Sequence, residues 1–163
     1  MQPLLRPQKN FAPSIAIKIS AYMNKISKFN SSAAEYQQPF IPKLSPEQKK
    51  LWINDVSALL KSGISTKRLH KILKQDLFWE PDEMAGNYYG QFRSEEVLKG
   101  DGDPVRRHHV HDRAEVAQQL IESQLTPNKA FDLMQKVWRV TAEEHKKNHK
   151  GQKVKIKDMA KRS

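Results

Sequence analysis

Residues 105–112 read VRRHHVHD, two arginines, three histidines and an aspartate in eight positions. Just before them stand Asp103 and Pro104, a capping residue followed by the one residue type that suits the first position of a helix. Beyond them Val116, Leu120 and Ile121 recur at helical spacing. The stretch therefore reads as the first two turns of a helix. On such a helix His108, His111, Asp112 and Glu115 share one face, the raw material of a metal site. Arg106, Arg107 and any protonated histidine would instead oppose the positive end of the helix dipole, by about 0.3 to 1 kcal/mol each. Three arrangements remove that conflict. The helix starts later, near Asp112; the segment is a loop; or an anion such as a phosphate sits on the free N–H groups with the two arginines.

Downstream, Thr126 and Pro127 open what reads as one long helix burying Phe131, Met134, Val137 and Trp138 and ending in EEHKKNHK before Gly151. Its His145 and His149 are an i,i+4 pair. Were this helix antiparallel to the previous one, the four histidines 108, 111, 145 and 149 would form a two-helix metal site. Cations at a helix C-terminus are favoured by the dipole without any ligand. The chain also lacks H-E-x-x-H, the E-x-x-H pairs of di-iron bundles, and cysteine altogether. The sequence reading accordingly assigns no metal and no cofactor.

Upstream, Ser45, Pro46 and Gln48 form an N-terminal signature, and Trp52, Val56, Leu59 and Leu60 make a buried stripe that Gly63 ends. A second helix from Ser65 or Thr66 buries Leu69, Ile72 and Leu73 and turns Lys67, Arg68, Lys71 and Lys74 outward. The pair resembles the opening of a helix-turn-helix unit, but the next segment is acidic and broken by Pro81, Gly86 and Gly90, unsuited to meeting phosphates. That segment holds Phe78, Trp79, Tyr88, Tyr89 and Phe92. Trp79, Tyr88 and Tyr89 read as a docking surface for another protein.

The net charge of +11 is unevenly placed. Residues 1–34 carry five basic residues and no acid, and residues 146–163 carry seven lysines and Arg162 against Asp158. The interval between them is close to neutral. Within it, residues 43–74 are basic and 76–103 acidic, a pattern that intramolecular pairing would explain. Residues 14–29 place Ile15, Ile19, Tyr22, Ile26 and Phe29 on one helical stripe beside lysines, as in a mitochondrial import leader or a membrane-surface helix. The tail GQKVKIKDMAKRS reads as extended or unstructured, able to follow phosphates. No apolar run reaches the length of a membrane span.

Together these features predict an all-α protein. A single domain of four to five helices, residues 44–150, lies between a basic N-terminal arm or leader (1–43) and a basic tail (151–163). The expected function is that of a non-catalytic accessory protein of a ribonucleoprotein or DNA-handling complex. It would bind RNA or DNA mainly through phosphates, with Lys67, Lys71, Lys74, Arg106, Arg107, Lys153, Lys155 and Lys157 as contacts. The alternative is a protein-interaction subunit of a larger, organellar assembly. No nucleophile elbow, phosphate-cradling glycine loop or dinucleotide fingerprint is present, which argues against an enzyme.

Overall fold

Ser45 caps the first helix, its hydroxyl accepting from the Gln48 amide, and Pro46 occupies the first turn. This is α1 (Pro46–Leu60), which buries Trp52 and Val56. Gly63 follows at φ +79°, a left-handed conformation that lets the chain reverse at once. Ser65 then caps α2 (Thr66–Gln75), which buries Leu69 and Leu73 and leaves Lys67, Arg68 and Lys71 exposed. A 3₁₀ turn (Leu77–Trp79) leads into the short acidic α3 (Glu80–Met84). The computed structural model describes residues 36–87, 90–100 and 104–160. Tyr88 and Tyr89 and the N-terminal leader reading fall outside the described residues.

From here the all-α expectation is overturned, because the chain builds a four-stranded mixed sheet. Its elements are β1 (Phe92–Ser94), α4 (Glu95–Lys99), β2 (Val105–His109), α5 (Arg113–Ile121), α6 (Pro127–Met134), β3 (Val137–Thr141), α7 (Ala142–His149) and β4 (Ile156–Asp158). The strand order is β2-β3-β1-β4, with β1 parallel to β3 and the other neighbours antiparallel. VRRHH is thus a strand. The helix expected from Pro104 begins only after Asp112, whose carboxylate accepts from the Ala114 amide at 2.8 Å. Of the three ways out of the dipole conflict, the later start is the one the chain takes.

One further expectation is corrected. The long helix from Thr126 stops at Met134, and Val-Trp-Arg-Val-Thr, rich in β-branched and aromatic residues, becomes β3. In the tail, read as extended or unstructured, residues 156–158 are extended and pair with β1 along the edge of the sheet.

Side chains alternate between the two faces of a sheet. One face carries Arg93, Arg107, His109, Val137 and Arg139, and it packs on the helical layer. There Trp52, Val56, Leu69, Leu73, Phe78, Val116, Ala117, Leu120, Ala130, Phe131 and Met134 form the main core. Trp52 meets the Phe131 ring edge-on at 5.2 Å and donates its indole N–H to the Leu77 carbonyl at 2.9 Å. The other face carries Arg106, His108, Trp138, Val140, Phe92 and Ser94, and α7 lies on it. Tyr36, buried with Val97 and Val105, shows that packing extends ahead of residue 44. No helix among the described residues is long and apolar enough to cross a membrane.

Candidate metal centre

Three imidazoles far apart in sequence meet on the α7 side of the sheet. His108 comes from β2, and His145 and His149 lie one turn apart on α7. The Nδ1 atoms of His108 and His145 are 3.3 Å apart, and the Nε2 atoms of His145 and His149 are 3.0 Å apart. One nitrogen from each ring can be chosen so that all three lie within 4.8 Å of one another.

Local sequence explains why α7 begins where it does. Thr141, the last residue of β3, accepts from the Glu144 amide through its hydroxyl, and the Glu144 carboxylate accepts from the Thr141 amide, a complete capping box. The buried Glu144 carboxylate also accepts from the Ser94 hydroxyl on β1. The start of α7 is therefore fixed to the sheet, and the spacing of 141, 145 and 149 carries both histidines down the same helical side toward His108. Trp138, directly opposite His108 on β3, stacks on its ring at 5.8 Å between centroids and 29° between planes.

Burial lowers the affinity of His108 for a proton, and the neighbouring His145 and His149 lower it further. His145 is depressed by burial, by His149 and by Arg106, which shares the His108 face of β2. His108 and His145 are thus held toward the neutral imidazole, the form that binds metal. Among the described residues, this is the one grouping of three or more histidines and carboxylates with metal-site spacing. His111, Asp112 and Glu115, expected on the same face as His108, are not part of it, because the strand ends before them and Asp112 serves as a helix cap.

The other sequence-selected residues are dispersed. Arg107 is turned to the opposite face, where its side chain is 5 % exposed. It donates to Asp82 at 2.9 Å, the Trp79 carbonyl at 2.9 Å and Glu83 at 3.3 Å. Arg107, expected as a phosphate contact, has its guanidinium enclosed in this network of protein partners. Arg139 donates to the same Asp82 oxygen at 2.7 Å. Trp79 lies under the guanidinium groups of Arg107 and Arg113, at 4.6 and 4.1 Å, and against the His109 ring. These contacts occupy the ring expected to dock a partner. His109, bonded to the Phe78 carbonyl at 3.1 Å, is pushed down to about 3 by burial and by Arg107 and Arg113.

Lys67 and Lys71 line a shallow basic hollow with Ser65, Arg68 and Gln75. Lys74 is half-buried on the same helix, and its carbonyl accepts from Arg113 at 2.8 Å. Lys153, Lys155 and Lys157 are exposed on the approach to and along β4. Sequence reading missed the Asp82, Arg107 and Arg139 cluster. Its one signal was the acidic character of residues 76–103, whose Asp82 pairs with arginines of β2 and β3 rather than with the basic stretch 43–74.

Fold and site together define an α/β protein in which a strand pair and the helix that follows it converge on three histidines. No protein-family model, curated protein or solved structure matches the chain. The chemistry of the site is therefore what bears on function.

Proposed function

We propose that this protein is a metal-dependent hydrolase that cleaves phosphodiester links of nucleic acid, with His108, His145 and His149 holding a divalent transition ion such as zinc. The observation that carries this reading is the convergence of three histidine nitrogens within 4.8 Å from two elements. Three nitrogen ligands around a tetrahedral ion stand roughly 3.3 Å apart for metal–nitrogen bonds of about 2.0–2.1 Å. The 3.3 and 3.0 Å approaches here use the two different nitrogens of His145; with one nitrogen taken from each ring the three lie within 4.8 Å, so ring rotation has to bring them to that spacing. Three protein ligands leave a fourth position for water, the arrangement of catalytic rather than structural zinc.

An ion held by these three imidazoles would supply Lewis acidity, activating water as a nucleophile. In the hydrolysis so served, the water oxygen would bond to phosphorus as the ester P–O bond breaks, with one water proton passing to solvent and the leaving oxygen taking one up. The products are an alcohol and a phosphate monoester. Arg106, on the same face two residues before His108, supplies positive charge beside the attacked phosphate. The net charge of +11 and the exposed lysines of α2 and β4 favour a polyanionic substrate.

The test is metal analysis of untagged protein followed by incubation with single- and double-stranded DNA and RNA in Zn²⁺, Mn²⁺, Co²⁺, Ni²⁺ or Mg²⁺. About one bound ion per chain is expected, with cleavage abolished by chelator. His145→Ala and His149→Ala should each weaken metal binding by roughly a hundredfold or more, beyond the effect of losing a ligand's outer partner. A chain that holds stoichiometric metal and cuts none of these substrates overturns the hydrolase reading. Steeply salt-dependent binding without cleavage would restore the non-catalytic accessory role, carried by the same basic side chains.

A further inference from the structure

We infer that the hollow between residues 38–43 and α3 binds a small organic oxyanion, with its carboxylate or phosphate head on the Arg93 guanidinium and its apolar body against Phe40 and Ile41. The site lies on the helical-layer side of the sheet, opposite the three histidines, and does not depend on the hydrolase reading. Arg93 is fully enclosed, yet among the described residues no carboxylate reaches it. Its Nε donates to the Gly90 carbonyl at 2.8 Å and its Nη1 to the Tyr36 and Gln38 carbonyls, while Nη2 is buried with no partner. A buried charge is ordinarily paired with an opposite one. Here the β3 residue in register with Arg93 is a second cation, Arg139, and the enclosed Asp82 is already shared by Arg139 and Arg107. Burial and Arg139 push the Arg93 pKa down to about 10, so at neutral pH the guanidinium remains charged.

The hollow has a volume of about 480 Å³, within the range of small-molecule sites. Gln38 links it to the arginine: this residue lines the hollow, and its carbonyl is one of the two that hold Nη1. The segment is pinned at both ends. Tyr36 is buried, and the Lys43 amide donates to the Ala85 carbonyl at 3.0 Å. Gly86 lets the chain pass close there, since a Cβ on it would meet the Ile41 carbonyl oxygen at 2.7 Å. Between the pins Gln38 is exposed, and turning its carbonyl aside opens the guanidinium to the hollow. Nη1 and Nη2 then present two parallel donors, the fork that grips a carboxylate or a phosphate through two oxygens. The remaining walls fit the rest of such a molecule. Lys43, an exposed lining residue, supplies a second cation. Phe40 is half-buried and Ile41 is 66 % exposed, apolar surface for the body of the ligand to cover. Glu83, the acid in the lining, is engaged by Arg107 at 3.3 Å.

The experiment is calorimetric titration of the full chain, in chelator so that no metal contributes, with phenyl phosphate, benzoate and the neutral benzyl alcohol. At least one of the two anions should bind roughly tenfold or more tightly than the alcohol, as a charge-assisted hydrogen-bonded pair requires, and the better of the two names the head group. Inorganic phosphate, which has the head and no body, should bind severalfold more weakly than phenyl phosphate if phosphate is that group. Arg93→Lys, which keeps the charge and loses the fork, should weaken the anion by roughly tenfold or more. Lys43→Gln changes an exposed side chain, leaves the fold intact, and should weaken the anion by roughly two- to fivefold. It keeps the inference open to refutation even if Arg93→Lys fails to fold. Anions that bind no better than benzyl alcohol overturn it. So does anion binding that Lys43→Gln leaves unchanged, or that disappears in His145→Ala, which would put the anion at the histidines.

Discussion

Asp82 lies between two guanidinium groups with its side chain fully enclosed, one carboxylate oxygen accepting from both Arg107 and Arg139. A buried charge is tolerated when partners replace the water it loses, and removing one partner exposes the whole cost of the others. Asp82→Ala should therefore cost about 3–5 kcal/mol in denaturant unfolding. A loss under about 1 kcal/mol would mean that the arginines are held by something else. Gly90, two residues ahead of β1, supports the same cluster. At φ +87° it has the left-handed backbone that glycine tolerates best, and a Cβ there would meet the Arg139 Cγ at 2.3 Å. Gly90→Ala should cost about 1–3 kcal/mol by displacing Arg139. Since both changes act on Arg139, their effects should depart from additivity by more than about 0.5 kcal/mol in a double-mutant cycle. Simple additivity would show that the two contacts are independent.

At the scale of elements, α7 connects stability to the metal centre. Thr141→Ala removes the hydroxyl that accepts from the Glu144 amide and should cost about 1 kcal/mol of stability. Because the same cap sets where His145 and His149 begin, the affinity for Zn²⁺ should fall by roughly 10- to 100-fold as well, as when an outer support of a ligand is removed. Calorimetric zinc titration alongside thermal unfolding separates the two, and a stability loss with unchanged affinity would rule out this role of the cap. The cap itself is written locally, T-x-x-E, as are those of α1, α2 and α6, which is why the helix starts at Ser45, Ser65 and Thr126 are legible in the sequence. The strands are not. They span three to five residues each, and the partners of β2 and β1 lie about thirty and about sixty residues away or nearer fifty, distances at which spacing within a window says nothing. VRRHH has no apolar alternation because one of its faces holds histidine and the other a buried ion pair. The sequence reading groups His108, His111, His145 and His149 on the premise of two antiparallel helices and assigns them no metal. A strand and a helix bring His108, His145 and His149 together instead.

For the molecule as a whole, the excess charge is separated from the histidines. β4 pairs with β1, so Lys155 and Lys157 belong to the sheet that carries His108, but Lys157 pairs with Arg93 and projects from the opposite face. Deleting residues 151–163 would remove a strand as well as charges, and any loss of binding would then have two causes. Replacing Lys153, Lys155 and Lys157 together by glutamine keeps the backbone pairing and removes only the charge. Each phosphate contact contributes about 0.7–0.9 to the slope of log affinity against log salt. If all three lysines meet phosphates, the triple variant should flatten that slope by about 2–3 for a DNA or RNA oligomer. The unfolding midpoint should stay within a few degrees of the parent, because these side chains are exposed. Zinc affinity should also be preserved, since the three lysines are not among the residues whose ligand atoms converge at the candidate centre. An unchanged salt slope with intact folding would remove β4 from the nucleic-acid path and leave the α2 lysines and Arg106 as the remaining cationic contacts.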